Sequence, residues 1–271
     1  MSLPTRRILV HVDDDHSAAR RLLVARELAR PLDADVLACY AATSTARLHR
    51  MAVGLAMRGI DDCEERDSRR RDSAYDVFSE TCGDGSHISW LDLAGDPGES
   101  FVRQALYADY LVMQQYLEGK CGVPPGFVER VMVETGKPTL VMPHSGVIRP
   151  VPHSIAIAWN GTREAARAVS SAMPLLRNAM HIHIIGYGDD ARNSVSALAS
   201  RFNVQRLDLN LHTIEDNGGG IGRPLLERAA DVGADMLVMG CYGHGPVRES
   251  VLGGVTRTVL AQMTLPVWMT H

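Results

Sequence analysis

Two periodicities alternate along the chain. Short, almost continuously apolar runs are separated by segments whose apolar residues recur every three to four positions. Strands are predicted at 6–12, 35–40, 88–93, 109–115 and 138–143. A second series follows at 154–159, 181–187, 205–212, 236–240 and 266–270. Helices are predicted between them at 17–31, 46–81 (broken), 98–107 and 126–135, then at 163–177, 190–202, 223–233 and 254–263. Runs this apolar belong to strands covered on both faces, and the alternation with helices calls for a parallel sheet.

The two series are copies of each other. Arg7-Ile8-Leu9-Val10-His11-Val12-Asp13 corresponds to Ser154-Ile155-Ala156-Ile157-Ala158-Trp159-Asn160. Tyr110-Leu111-Val112-Met113 corresponds to Met236-Leu237-Val238-Met239, and Pro138-Thr139-Leu140-Val141-Met142 to Pro266-Val267-Trp268-Met269. An internal repeat of this length is a duplicated domain, with about twenty additional residues in the middle of the first copy. Residues 1–146 and 151–271 are thus expected as two domains, joined by the prolyl linker around 145–152. The last strands, 139–142 and 267–269, are apolar and uncharged, unlike protected edge strands. They are expected to pair the two halves within one chain, leaving helical faces for further homodimerisation.

The charged stretch Asp61-Asp62-Cys63-Glu64-Glu65-Arg66-Asp67-Ser68-Arg69-Arg70-Arg71-Asp72 reads as a solvated helix face with i,i+4 pairs. The net charge of −4 leaves no basic footprint for nucleic acid. No apolar run approaches the length of a membrane span. The N-terminal Met1-Ser2-Leu3-Pro4-Thr5-Arg6-Arg7 lacks the pattern of a signal peptide. Five cysteines, none in a CxxC, are expected as reduced thiols in the cytoplasm.

Ligands of open parallel sheets bind beyond the carboxyl ends of the strands, where strand order reverses. In the second repeat the fourth strand runs into Gly240-Cys241-Tyr242-Gly243, and nine residues later Gly253-Gly254-Val255 open the last helix. Glycines admit a phosphate to backbone amides, and a helix start adds partial positive charge. There is no G-x4-GK[ST], and Asn217-Gly218-Gly219-Gly220 reads as a turn. By spacing alone the G-x2-G-x9-G signal is weak; its placement after a strand and before a helix gives it weight.

With these glycines, the repeat and the strand-one end, the chain resembles a tandem universal stress protein. The resemblance is strongest over Ala156–Ala166 and Ala234–His271. It implies two open five-stranded parallel sheets of the adenine nucleotide alpha hydrolase-like α/β fold, strand order 3-2-1-4-5, with helices on both faces. It further implies a stress-response regulatory protein that binds an adenine nucleotide (ATP, ADP or AMP), with or without magnesium, and an unidentified protein partner. Residue by residue, Gly240, Gly243, Gly253, Gly254 and Val255 would meet phosphates and ribose. Ala158, Trp159 and Asn160 would line the strand-one edge, and Gly186 the adenine edge. Two positions depart from the family pattern: Asn160 stands for its usual Asp, and Gly254 for Ser or Thr. The alternatives are a ligand-free scaffold and a weak ATPase. No nucleophile–base signature occurs, so a binding protein is expected before an enzyme.

The first repeat has Gln114 and Leu117 where the second has Gly240 and Gly243, and prolines in a shorter loop. Its Asp13-Asp14-Asp15 reads as helix-start acids, a ribose-acceptor remnant or a metal contact. His181 and His183 share a strand face and read as strand histidines before metal ligands. His244 lies in the glycine loop, His144 and His271 end equivalent strands, and Trp159 reads as a core residue before a base-stacking one.

Overall fold

A computed structural model describes residues 6–53, 60–83, 88–120, 122–146, 148–188, 190–202, 208–215, 220–243 and 254–271. The chain divides into two compact units, Met1–Thr135 and Gly136–His271.

The first unit holds β1 (Arg6–Val12), α1 (Ala18–Leu32), β2 (Ala34–Tyr40), α2 (Thr45–Val53), α3 (Ile60–Cys82), β3 (Ile88–Asp92), α4 (Pro97–Ala105), β4 (Tyr110–Gln114) and α5 (Phe127–Thr135). Its strands lie in the order β3-β2-β1-β4. β1 is parallel to both β2 and β4, with Ile8 opposite Val36 on one side and Tyr110 on the other. From Ile8 to Val12 β1 is buried throughout. That is why its sequence is apolar on both faces rather than alternating.

The second unit holds β5 (Thr139–Met142), β6 (Ser154–Trp159), α6 (Arg163–Leu176), β7 (His181–Tyr187), α7 (Ala191–Ala199), β8 (Asp208–Ile214), α8 (Gly222–Asp231), β9 (Met236–Gly240), α9 (Gly254–Gln262) and β10 (Val267–Thr270). Strand order runs β5-β10-β9-β6-β7-β8. The five strands of the second repeat are parallel in the expected 3-2-1-4-5 order. The order reverses at β6, which is hydrogen-bonded to β7 and to β9. Predicted and observed elements agree within a few residues; β8 is described from Asp208, and the predicted strand residues 205–207 lie outside the described residues.

One strand departs from a purely parallel description. β5, the last strand of the first repeat, lies in the second unit and runs antiparallel to β10, with Val141 opposite Val267 and Leu140 opposite Trp268. Both strands are wholly buried, and Trp268 is the largest fully buried side chain. Their missing edge charges are explained: neither is exposed. Trp268 Nε1 donates to Ser171 Oγ at 2.9 Å, so burying the indole leaves no orphaned donor.

A lysine at Trp268 or Val141 would place an unpaired ammonium in this pairing. Each variant is expected to destabilise the chain by roughly 3 kcal/mol or more. Urea unfolding followed by circular dichroism measures this, and wild-type midpoints would contradict the packing described.

Candidate functional site

The crevice in question lies beyond the carboxyl ends of β6 and β9. Thr162 caps α6 there, its hydroxyl accepting from Ala165 N at 3.4 Å. Asn160 Oδ1 in turn accepts from Thr162 Oγ1 at 2.8 Å and Thr162 N at 3.3 Å. The Asn160 amide therefore spends its oxygen on the helix start. Gly161 takes a φ of +72°, a conformation that β-carbons disfavour, so the turn between strand and cap requires glycine.

The first two glycines of the loop motif are packed against the start of α6. A Cβ on Gly240 would lie 2.5 Å from Ala165 N, and one on Gly243 would lie 2.8 Å from Glu164 Oε2. Glu164 sits in the first turn of α6 with its side chain only 3% exposed. Burial opposes its charge, but the Arg163 guanidinium and local hydrogen bonds hold its carboxyl below the usual range. Between the glycines, Tyr242 adopts a φ of +54°, a sparsely populated conformation for a non-glycine residue. Cys241 is buried, and its thiol is pushed up to about 12 by burial, which leaves it unreactive. His271 closes the base of the loop, its Nδ1 lying 3.2 Å from Cys241 O.

The remaining predicted residues fall on separate elements of the second unit. Ala158 is buried at the end of β6. Trp159 donates from Nε1 to Ser194 Oγ of α7 at 2.7 Å, so its indole is anchored to a helix. Gly186 backs onto α7: a Cβ would come 2.3 Å from Val195 Cγ2. Its lack of a side chain is thus required by helix packing. Gly254 is the first described residue of α9, with nothing among the described residues within 4 Å of where a β-carbon would stand, and Val255 follows it, half-buried. Gly253 and His244 lie outside the described residues.

In the first repeat the equivalent crevice is filled by protein. Arg21 of α1 is fully buried, as are Asp13 and Asp15. Its guanidinium pairs with Asp13 and donates to Ser17 Oγ (2.8 Å), Gln114 Oε1 (3.2 Å) and His11 O (2.9 Å). The loop after β4 also turns inward: Gly122 N donates to Asp13 Oδ2 at 3.2 Å. Asp13 is therefore not a helix-start acid but half of a buried ion pair, and Ser17 bonds the other buried acid, Asp15. The repeats solve one packing problem in opposite ways. The first pairs a small Ser17 with a long Gln114, while the second pairs a long Glu164 with Gly240. Arg21 falls on the apolar stripe Ala18, Leu22, Ala25 and Leu28, which is the signal in the sequence that this arginine is internal.

The charged stretch of α3 is more than a solvated face. Glu65 and Arg69 do form an exposed i,i+4 pair. Arg70, however, makes a two-pronged bond to Asp14, both contacts at 2.8 Å. Asp67 accepts from Thr45 N (2.9 Å) and Ser44 Oγ (2.7 Å) at the start of α2. These ties frame a 390 Å³ cavity beyond β2 and β3, lined by Tyr40, Thr43, Ser44, Arg70 and Asp92 among others. His181 finds Asp208 on the adjacent strand (3.1 Å), and His183 faces His212 (3.4 Å). These are cross-strand partners that sequence proximity could not give. Among the described residues no group of three or more histidine, cysteine or acidic side chains is placed to hold a metal. No helix among them is long and apolar enough to cross a membrane.

The sequence model of the universal stress protein family matches residues 193–271. The fold matches that of a universal stress protein from Archaeoglobus fulgidus, with a TM-score of 0.70 and 15% identity over 97% of this chain and 95% of that one. It also matches a functionally unknown protein from Pseudomonas aeruginosa PAO1, with a TM-score of 0.63 and 14% identity over 98% and 92%. No curated protein matches the sequence. The resemblance read from the sequence thus holds for the segment 193–271, and the fold holds for the whole chain.

The first repeat's ion pair gives a pH signature. Burial raises the Asp13 carboxyl, but the Arg21 charge outweighs it and holds the group at about 2. A carboxyl depressed from its ordinary value of 3.8 contributes stability above that value and loses it as pH falls towards 2. The contribution is roughly 2 kcal/mol. Asp13→Asn is expected to flatten the acid limb of the stability curve between pH 4 and 2 and to lower stability at pH 7. Unchanged urea midpoints at both pH values would contradict the pairing.

Proposed function

We infer that the chain is a universal-stress-type regulatory protein that holds an adenine nucleotide in its second repeat and none in its first. The observation that carries this reading is the contrast at the strand-order reversal. Beyond β9 the second repeat presents Gly240 and Gly243, with no side chains, beside the start of α6. At the same place the first repeat inserts Gln114 and a buried arginine. The segment that matches the family model includes Gly240, Gly243, Gly253, Gly254 and Val255. Glycine there leaves backbone amides approachable by phosphate, and α9, described from Gly254, lies just beyond the motif. Asn160 serves as a neutral neighbour for a ribose hydroxyl, and the β7 end supplies the adenine edge. Magnesium would accompany a di- or triphosphate. The protein acts by binding, with ligand occupancy controlling a protein partner in the cytoplasm.

A ligand-free scaffold is the second reading, and one observation favours it: the Glu164 side chain already lies against Gly243. Calorimetry on the full chain with ATP, ADP and AMP separates the two. The nucleotide reading predicts one site per chain; absence of heat and of any thermal shift with all three favours the scaffold.

Gly243→Val is expected to weaken nucleotide binding by about 1–3 kcal/mol, because its Cβ collides with Glu164 and closes the approach. At Gly254→Ser no described residue lies within 4 Å of the new β-carbon. This variant is expected to tighten ATP more than AMP, since the added donor reaches only the outer phosphates. Equal affinities of both variants and wild type for ATP would contradict the cradle.

A further inference from the structure

The second repeat has a charged pair at its crevice that the glycine motif does not account for. Arg163 and Glu164 open α6, immediately after the Thr162 cap. Arg163 Nε donates to Glu164 Oε1. The other carboxylate oxygen, Oε2, lies against Gly243, 2.8 Å from where a Cβ would stand. The two side chains differ sharply in burial: Glu164 is 3% exposed and Arg163 72% exposed. One edge of the guanidinium is therefore fastened to a buried acid. Its two Nη groups, four N–H donors, make no hydrogen bond within the described residues. A planar fork held at Nε and open at both Nη atoms suits two oxygens of one phosphate. The glycines have a second role in this arrangement. Any side chain at 243 would take the space of Glu164 and release the arginine that Glu164 holds.

We propose that Arg163 is a phosphate-binding residue of the second repeat, held in position by Glu164, and that this pair directs the site towards the di- or triphosphate end of a nucleotide. The proposal rests on the nucleotide reading for the adenine part of the ligand, but not for the phosphate part. The first repeat lacks the device. His16 and Ser17 occupy the corresponding positions, and the buried charge there is already matched internally by Arg21. An unpaired buried glutamate would be costly, so the arginine also stabilises its partner. Without ligand the pair is closed on itself. With ligand, Nε keeps its acceptor while the Nη groups take the phosphate.

Calorimetry on full-length protein with ADP, adenosine and inorganic tripolyphosphate tests this. Arg163→Ala is expected to lower ADP and tripolyphosphate affinity by roughly tenfold or more while leaving adenosine affinity unchanged. Arg163→Lys, a point charge without the fork, recovers only part of the loss. Glu164→Ala is expected to reduce ADP affinity without changing adenosine affinity. Glu164→Gln, whose amide oxygen still accepts from Nε, should restore it, which a purely structural role of Glu164 would not produce. Arg163→Ala leaves Glu164 without its partner and is expected to lower the melting temperature, so affinities are compared below the melting temperature of each variant, fixed by a thermal melt. An unchanged ratio of ADP to adenosine affinity in Arg163→Ala overturns the proposal and leaves the nucleotide reading standing. Binding of tripolyphosphate but not adenosine, lost in Arg163→Ala, supports the proposal and removes the adenine. Wild-type protein that binds none of the three overturns both.

Discussion

The second repeat is organised around a shortage of space. A carboxylate at Glu164 is packed beneath the loop that follows β9, and the chain can pass over it only where it carries no side chain. Gly240 gives way to the backbone of α6 and Gly243 to the carboxylate itself. The charge can be buried because an exposed arginine lies beside it and the helix start favours an anion in its first turn. Beside that packing lie a left-handed Tyr242 between the glycines and an arginine whose Nη groups make no hydrogen bond among the described residues.

The first repeat shows what happens when the same fold fills the same place from within. Arg21 brings a permanent cation to the end of β1, and Asp13, Asp15, Ser17, Gln114 and the amide of Gly122 close around it. In a low-dielectric interior such a network stabilises only when each member is satisfied, and these groups satisfy one another. One crevice is thus sealed by its own ions, and the other is lined by glycine. The antiparallel pairing of β5 with β10 adds the last strand of the first repeat to the sheet of the second unit and covers two apolar edges at once.

How much of this is legible in the sequence depends on the range of the interaction. Strands and helices are readable because burial on both faces leaves an unbroken apolar run, and a one-sided helix leaves a three-to-four-residue period. The pairing of β5 is foreshadowed by uncharged Thr139–Met142 and Val267–Met269. The glycine positions are readable as special, but not the reason for each. Gly186 is small because Val195 of α7 lies over it, and Gly240 because of the α6 backbone. Both neighbours are set by tertiary packing rather than local sequence. Arg21 is marked as internal by its place on the apolar stripe of α1, but its partners are visible only once the opposite wall of the crevice is known. Glu164 does not stand out, because a charged residue in the first turn of a helix ordinarily faces water. Likewise Arg70 and Asp67 look like part of a solvated run until Asp14 and the start of α2 are brought to them.

The asymmetry between the repeats is tested most directly by photo-crosslinking the full chain with an azido-adenine nucleotide and mapping the labelled peptides. The account predicts label on the second repeat alone, in peptides containing residues 154–188 or 236–243, displaced by excess unlabelled nucleotide. Displaceable label on peptides containing residues 6–53 or 110–120 would contradict it, since that crevice is occupied by Arg21 and its partners.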